Sequence, residues 1–153
     1  MSHNDLEHEQ CSIARSVSLL GDRWTLILLR QAFQGLRRFE EFQASMKVSR
    51  ALLAERLRVL VEAGILDRVA YKDARRTRHE YQLTDKGADL YPVLMALRTW
   101  GDKYLAPQGP FVIYRHRGCG GELTVRQVCD TCGAELTASQ VDREPGAGLA
   151  HAG

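Results

Sequence analysis

The sequence lacks any long apolar run, and none of its apolar stretches approaches the roughly 20 residues that a membrane-spanning helix requires. Its beginning, MSHNDLEHEQ, is acidic and polar, unlike a secretory signal peptide, so we expect a cytoplasmic protein with no membrane partner. It also lacks a glycine-rich phosphate-binding loop and any arrangement of His, Ser or Cys and an acid that is typical of nucleophilic catalysis. We therefore expect that the protein is not an enzyme.

Strong net charge is lacking too, and cysteines are few. The formal net charge is only +2, which is too small to indicate a nucleic-acid partner. Whether the chain binds nucleic acid must therefore be judged from the distribution of charge along it.

The chain has four cysteines. Because cytoplasmic thiols are kept reduced, these cysteines favour metal binding or thiol chemistry over structural disulfides.

Hydrophobic periodicity predicts four helices in the first part of the chain. The first runs from Cys11 to Leu20. The second covers residues 23–33, with Asp22 as its N-cap, and is apolar nearly all round, so it should be central and buried. A short helix follows at residues 40–46, and a longer one lies within residues 48–64.

The helix within residues 48–64 has two different faces. Ser49 is a suitable N-cap, and Gly64 ends the helix where a left-handed residue is wanted. One face is a leucine-rich stripe, and the other carries small residues and arginines, as a helix in a DNA major groove requires. These outward positions are Arg50, Ala51, Ala54, Glu55 and Arg58, with Arg56 at the edge of the stripe. A solvated helix face has the same pattern, so the helix alone does not identify DNA binding.

A hairpin with a basic tip follows this helix. Residues 65–71 and 79–83 are predicted strands, and residues 72–78 form a charged tip. Helices followed by a two-stranded hairpin are in the order of a winged helix-turn-helix, which places one helix in the major groove and the hairpin tip on a neighbouring phosphate or minor groove. Residues 36–81 hold 11 Lys and Arg against 7 Asp and Glu, so positive charge is concentrated in this region. His79 is a hydrogen-bonding or phosphate-facing candidate.

A further helix begins after the cap Thr84 and carries an apolar stripe. Its members are Leu90, Val93, Leu94, Leu97, Trp100 and Tyr104. Pro92 predicts a kink or break within it. A stripe with this much apolar surface is typical of a helix that packs against a partner rather than one exposed to water.

Three segments in fixed order resemble the HxlR-type family of bacterial transcription regulators. They are CSIARSVSLLGDRWTLILLRQAFQGLRRFEEFQ, SRALLAERLRVLVEAGIL and HEYQLTDKG, and the resemblance covers roughly residues 11–105. It implies a homodimer, built through the first and last helices of each subunit, on a near-palindromic operator of double-stranded DNA. It also implies a nucleoid-associated bacterial protein that regulates transcription, and we favour a repressor.

The DNA-binding hypothesis names nine residues. Six of them lie at or before the helix within residues 48–64 and would sit near DNA: Arg38, Ser49, Arg50, Glu55, Arg56 and Arg58. The other three lie in the hairpin tip: Arg75, Arg76 and Arg78. A solvated turn would explain the tip arginines on charge alone. Their position directly after a recognition-type helix favours phosphate contact instead.

Cys11 matches the position at which redox-sensing members of the family carry an oxidisable cysteine. The resemblance thus implies that Cys11 is a candidate redox sensor and that an oxidant is a candidate effector. A small apolar role for this cysteine near a dimer interface is the alternative. A small-molecule effector is also open, because Trp24, Tyr91, Trp100 and Tyr104 would line a pocket if they are not ordinary core aromatics.

The segment after the linker 107–110 has metal-ligand spacing. His116, Cys119, Cys129 and Cys132 give H-x₂-C-x₉-C-x₂-C, with glycines in both pairs and the strand-like ELTVRQV between them. One imidazole and three thiolates suit tetrahedral Zn²⁺, and so small a unit needs a metal to hold it together. We predict a structural zinc ribbon. A redox Cys129/Cys132 pair, and a hairpin that packs without metal, are the alternatives.

The predicted fold is mainly α with a small β component (α+β), a winged helix-turn-helix with flanking dimerisation helices and a C-terminal β-hairpin or ribbon. The predicted domains are a disordered tail at 1–9, the winged helix-turn-helix domain at 10–106, the ribbon at 111–137 and a disordered tail at 138–153. Two rival functions stay open, a winged-helix protein-interaction module and a thiol-redox protein using the CxxC. A steep dependence of DNA affinity on salt would distinguish the regulator from both.

Overall fold

A computed structural model describes residues 10–149. The chain divides into two compact units, one spanning Ser12–Leu94 and the other containing Cys11 and the residues from Met95 onward. No helix within the described residues is long and apolar enough to cross a bilayer. The predicted tail at 1–9 lies outside the described residues, as do the last four residues of the predicted tail at 138–153.

The elements follow the predicted order. The helices of the first unit are α1 (Ser12–Leu20), α2 (Arg23–Phe33), α3 (Phe39–Met46), α4 (Arg50–Glu62) and α5 (Asp85–Ala88), and the antiparallel strands between α4 and α5 are β1 (Leu66–Asp73) and β2 (Arg76–Leu83). A last helix, α6 (Tyr91–Tyr104), begins in the first unit. The α+β winged helix-turn-helix class is confirmed.

Two predicted N-caps are confirmed in atomic detail. The Asp22 carboxylate accepts hydrogen bonds from the backbone N–H groups of Trp24 and Thr25, at 3.0 and 3.2 Å. The Ser49 hydroxyl accepts from the N–H of Leu52 at 3.2 Å. Each bond satisfies a donor that the first turn of a helix leaves free, so the sequence determines where α2 and α4 begin.

The core of the first unit is formed by α2, α3, α4 and the start of β1. Its buried members are Leu28, Leu29, Phe42, Met46, Leu53, Leu57, Leu60, Ile65 and Leu66. Three of these come from one face of α4, so the opposite face of that helix is turned to solvent.

The hairpin of β1 and β2, which we call the wing, is longer than predicted. The strands pair from Leu66–Leu83 to Asp73–Arg76, and the turn is only Ala74 and Arg75. The charged residues assigned to a seven-residue tip, apart from Arg75, therefore belong to the strands. An exposed two-stranded ribbon puts its side chains in solvent on either face, so charge does not end its strands.

The break predicted at Pro92 is confirmed. The helix after Thr84 ends at Ala88, and α6 starts at Tyr91. Proline lacks the N–H needed for an intrahelical bond, and its ring would clash with the carbonyl of Ala88, four residues earlier.

Regular strands are missing from the predicted ribbon at 111–137. The β structure there is limited to two isolated bridges, Arg115–Glu122 and Val128–Glu135. The ends of ELTVRQV thus each pair within their own tight loop rather than with a common partner strand. Single 3₁₀ turns follow at Ala138–Gln140 and Ala147–Leu149.

Candidate nucleic-acid interface

The turn between α3 and α4 positions the recognition helix, α4. Lys47 ends α3 in a left-handed conformation with φ 53°, and its N–H donates to the Gln43 carbonyl at 2.9 Å. Val48 and the cap Ser49 complete the connection. Arg50, the first residue of α4, is exposed, as are Ala54 and Glu55 further along the same face.

A cleft lies between the start of α3, the start of α4 and the wing. It is lined by Phe39, Glu40, Arg50, Arg68, Tyr71, Arg76, Thr77, Arg78, His79 and Tyr81, and we call it the basic cleft. Four arginines face a single carboxylate there. Guanidinium groups bind phosphate through paired hydrogen bonds, so the cleft has the chemistry of a phosphate-contact surface.

Neighbouring groups hold two of these cationic side chains in place. The Arg50 guanidinium donates to the Gln43 side-chain oxygen at 3.1 Å and lies 4.8 Å from the centre of the Phe39 ring. Arg68 lies 3.2 Å from the imidazole of His79. These contacts orient the side chains in the cleft before any ligand arrives, which reduces the entropy lost on binding.

Arg38 joins α3 to the wing. Its guanidinium pairs with Glu80 at 3.4 Å and lies 5.2 Å from the centre of the Tyr71 ring. Tyr71 and the hydrogen bond with Glu80 raise the pKa of Arg38, which keeps it cationic. The backbone adds a hydrogen bond from the Tyr81 N–H to the Arg37 carbonyl at 2.7 Å. The wing is therefore attached to the start of α3 by a side-chain ion pair and by a backbone hydrogen bond.

Glu41 closes the first turn of α3. Its carboxylate accepts from the backbone N–H groups of Arg37 and Arg38, at 3.0 and 2.9 Å. These two bonds favour the charged form and lower the pKa of Glu41 from its ordinary value of 4.5. The stabilisation is therefore complete above pH 4.5 and is lost as the pH falls through the folded-state pKa.

We expect Glu41→Gln to lower the free energy of unfolding by less than about 1 kcal/mol at neutral pH, because the carboxylate is exposed and screened by solvent. The difference from the unsubstituted chain should shrink below about pH 4 as the native carboxylate protonates. Urea unfolding at several pH values measures this. Glu40→Gln removes the same charge from the preceding residue and serves as the control. A difference that stays constant on acidification would contradict the assignment.

The remaining predicted arginines of α4 are engaged within the protein. Arg56 pairs with Asp22 at 3.3 Å, which connects α4 to the start of α2. Arg58 pairs with Glu55 at 2.8 Å and also with Glu62. These carboxylates raise the pKa of Arg58, and the hydrogen bond from Arg58 lowers the pKa of Glu55. DNA contact by Glu55, Arg56 and Arg58 stays a prediction.

The structure thus brings Arg50, Arg76 and Arg78 together in the basic cleft. Arg78 also pairs with Asp73 at 3.1 Å across the wing, and Arg75 is exposed at the turn. Sequence reasoning missed Arg68 as a member of the cleft. A two-residue turn at Ala74 and Arg75 would have predicted the strand register, which pairs Arg68 with Tyr81 on the face that also carries His79. The prediction of a seven-residue tip left this register undetermined.

The cysteines lie at separate places in the chain. Cys11 is half-buried directly before α1. His116 Nδ1 lies 3.2 Å from the Cys119 sulfur. Hydrogen bonds from the backbone N–H groups of Cys132 and Thr131 lower the pKa of Cys129. Within residues 10–149, no group of three or more His, Cys, Asp or Glu side chains is close enough to hold a metal, so the four predicted ligands stand as two pairs.

Comparisons with known proteins agree with this geometry. An HTH-type transcriptional regulator of Mycobacterium tuberculosis strain H37Rv is 45% identical over 97% of this chain and 96% of its own. The crystal structure of PA1607, reported as a transcription-factor candidate, superposes with a TM-score of 0.78, at 39% identity over 89% of this chain and 95% of that one.

Other relatives match only the first part of the chain. The reduced form of the redox regulator HypR superposes with a TM-score of 0.56, at 28% identity over 61% of this chain and 92% of its own. The mycobacterial regulator and PA1607 therefore match far more of this chain than HypR does. The model of the HxlR-like helix-turn-helix family matches residues 19–109, and the chain belongs to this family of DNA-binding transcription regulators, which are not enzymes.

Proposed function

We propose that two copies of this chain bind a near-palindromic operator in double-stranded DNA and repress transcription from it. The observation that carries the proposal is the basic cleft, which joins the start of α4 to the wing with four arginines and His79. A surface that spans a helix start and a hairpin matches the two contacts of a winged helix with DNA. The protein would then act at the chromosome, in the cytoplasm of a bacterium.

In this arrangement α4 enters the major groove with its first turn foremost. Arg50 and the small residues Ala51 and Ala54 face the bases, because small side chains let the backbone approach and an arginine reaches guanine edges. The arginines of the wing contact the flanking backbone or minor groove. Arg68 and Arg76 line the path between the two contacts.

Exposed apolar side chains support the homodimer. On α1, Ile13 and Val17 are 75% and 58% exposed. On α6, Leu97, Trp100 and Tyr104 are 51%, 57% and 60% exposed. Surfaces of this kind are covered in most soluble proteins, and a second copy of the chain is the partner that covers them here. Repression is the simplest outcome, because a dimer seated on a promoter excludes polymerase without any further contact.

An oxidant is the effector that we favour, with Cys11 as the sensor. HypR is a redox regulator with the same fold, and Cys11 is a half-buried thiol directly before α1. A small molecule is the alternative effector. Since only an accessible thiolate reacts, the oxidant hypothesis requires that Cys11 be reached from solvent in the dimer.

The test is a selection of bound fragments from randomised DNA, followed by gel shifts of the recovered site. We expect an inverted repeat with two chains per site and an affinity that falls steeply with salt. Diamide should weaken the complex of the unsubstituted chain and leave that of Cys11→Ser unchanged. Single half-sites bound by one chain would contradict the dimer, and equal responses of both proteins to diamide would contradict Cys11 as sensor.

A further inference from the structure

Residues 114–136 contain the same short motif twice, thirteen positions apart. The first copy is His116-Arg-Gly-Cys119-Gly-Gly-Glu122, and the second is Cys129-Asp-Thr-Cys132-Gly-Ala-Glu135. Each copy has a metal-ligating side chain at its first and fourth positions, a glycine at its fifth and a glutamate at its seventh. We call them the first and second knuckle.

The backbone repeats with the sequence. The N–H of His116 donates to the Gly121 carbonyl at 2.8 Å, and that of Cys129 donates to the Ala134 carbonyl at 2.9 Å. The bonds from Gly120 to His116 and from Gly133 to Cys129 correspond in the same way, at 2.8 and 2.9 Å. Both glycines have positive φ, 75° and 70°. Two different sequences therefore adopt one loop geometry that requires glycine at the same place.

The first knuckle brings its two ligands to a separation that suits a metal. His116 Nδ1 and the Cys119 sulfur are 3.2 Å apart. Ligands of one tetrahedral Zn²⁺, with Zn–N and Zn–S bonds of about 2.0 and 2.3 Å, are separated by about 3.5 Å. Gly118 makes room for the imidazole, because a Cβ there would lie 2.9 Å from the His116 ring.

In the second knuckle, Cys129 and Cys132 stand at the positions that His116 and Cys119 hold in the first, on the same hydrogen-bonded backbone turn. Thr131 occupies the position that Gly118 has in the first knuckle. A larger residue fits there because the first ligand of the second knuckle, Cys129, has a thiol in place of an imidazole ring.

Apolar burial contributes little to this segment. None of residues 114–136 is buried, and Val128 is more than half exposed. Small units without a hydrophobic core are commonly held together by a metal or by disulfides.

We propose that the two knuckles close on one Zn²⁺, bound by His116, Cys119, Cys129 and Cys132. The structure shows them as two separate pairs, so metal binding draws the two pairs together. As each metal–sulfur bond forms, the thiol releases its proton to solvent, and the imidazole coordinates through the lone pair of one nitrogen. With four protein ligands the site is structural, and it does not depend on how the first unit binds DNA.

Titration of the full-length chain, purified and reduced without metal, with Co²⁺ and then Zn²⁺ tests the proposal. We expect one Co²⁺ per chain, with the intense visible absorption of tetrahedral cobalt thiolate, and its displacement by one equivalent of Zn²⁺. Cys119→Ser and Cys132→Ser, one from each knuckle, should each reduce this absorption severalfold. Cys11→Ser removes the remaining cysteine of the chain and should titrate like the unsubstituted protein.

Several outcomes would overturn the proposal. The absence of tetrahedral absorption in the unsubstituted chain would exclude the site. Full absorption in Cys119→Ser would show that the Cys129/Cys132 pair acts without the first knuckle. One Co²⁺ for every two chains would show a metal shared between copies. Circular dichroism of each variant shows whether α1–α6 are retained, so loss of binding is not mistaken for loss of the fold.

Discussion

Replacing Arg50 and Arg76 together with alanine should lower operator affinity by about 1000-fold or more, because the dimer loses four contacts at about 1–3 kcal/mol each. Arg50 lies in the first turn of α4, and Arg76 lies at the turn end of the wing. The double variant therefore removes one arginine from each side of the basic cleft. Gel shifts over a range of salt concentrations measure the effect. The slope of log affinity against log salt should also fall by about two per chain if both arginines contact phosphate.

The control must lose the same charge elsewhere. Arg126 and Arg143 are exposed in the second unit, and their double alanine variant leaves the basic cleft intact. We expect its affinity to stay within about twofold, because neither arginine lines the basic cleft that makes the phosphate contacts. If both double variants weaken binding equally, net charge and not the cleft would determine affinity.

Replacing Gly87 with alanine should destabilise the first unit by about 3 kcal/mol, at the upper end of the range for overpacking. A Cβ at Gly87 would lie 2.2 Å from the Ile65 carbonyl oxygen and 3.1 Å from the Leu83 side chain. The carbonyl cannot move freely, because it accepts from the Thr84 N–H at 3.1 Å and from the Thr84 hydroxyl at 3.2 Å. The added methyl group therefore breaks the hydrogen bonds at the base of the wing.

Thermal and urea unfolding of Gly87→Ala measure this loss. Gly146→Ala makes the same chemical change where a Cβ would meet no atom within 4 Å, and it should change stability by less than about 0.5 kcal/mol. Equal stabilities of the two variants would mean that the backbone at Ile65 yields more easily than its hydrogen bonds indicate.

The sequence predicts this fold well where local chemistry determines it. Asp22 and Ser49 cap the two helices that they were predicted to cap. Pro92 correctly predicts the helix break before α6. These features depend on neighbours along the chain, so a single sequence contains them. The HxlR-like family is likewise confirmed, because its model matches residues 19–109.

The candidate site depends on contacts between distant residues and was predicted less completely. The pairing of Arg56 with Asp22 joins positions 34 residues apart, and no local pattern indicates it. Membership of Arg68 in the basic cleft follows from strand register, which a shift of one residue would reverse. The two knuckles show the same limit, because spacing predicts each pair of ligands but not how far apart the pairs lie.

The Asp22 carboxylate has a consequence for how mutational effects combine. One oxygen, Oδ1, accepts the cap bonds of α2 and also pairs with Arg56 of the recognition helix. The start of α2 and the anchoring of α4 are therefore energetically coupled through a single atom. Substitutions at these two positions do not act independently, and a double-mutant cycle between them reports a shared energy rather than the sum of two local ones. Variation at Asp22 is thereby constrained by the DNA-facing helix, although Asp22 itself lies outside the basic cleft.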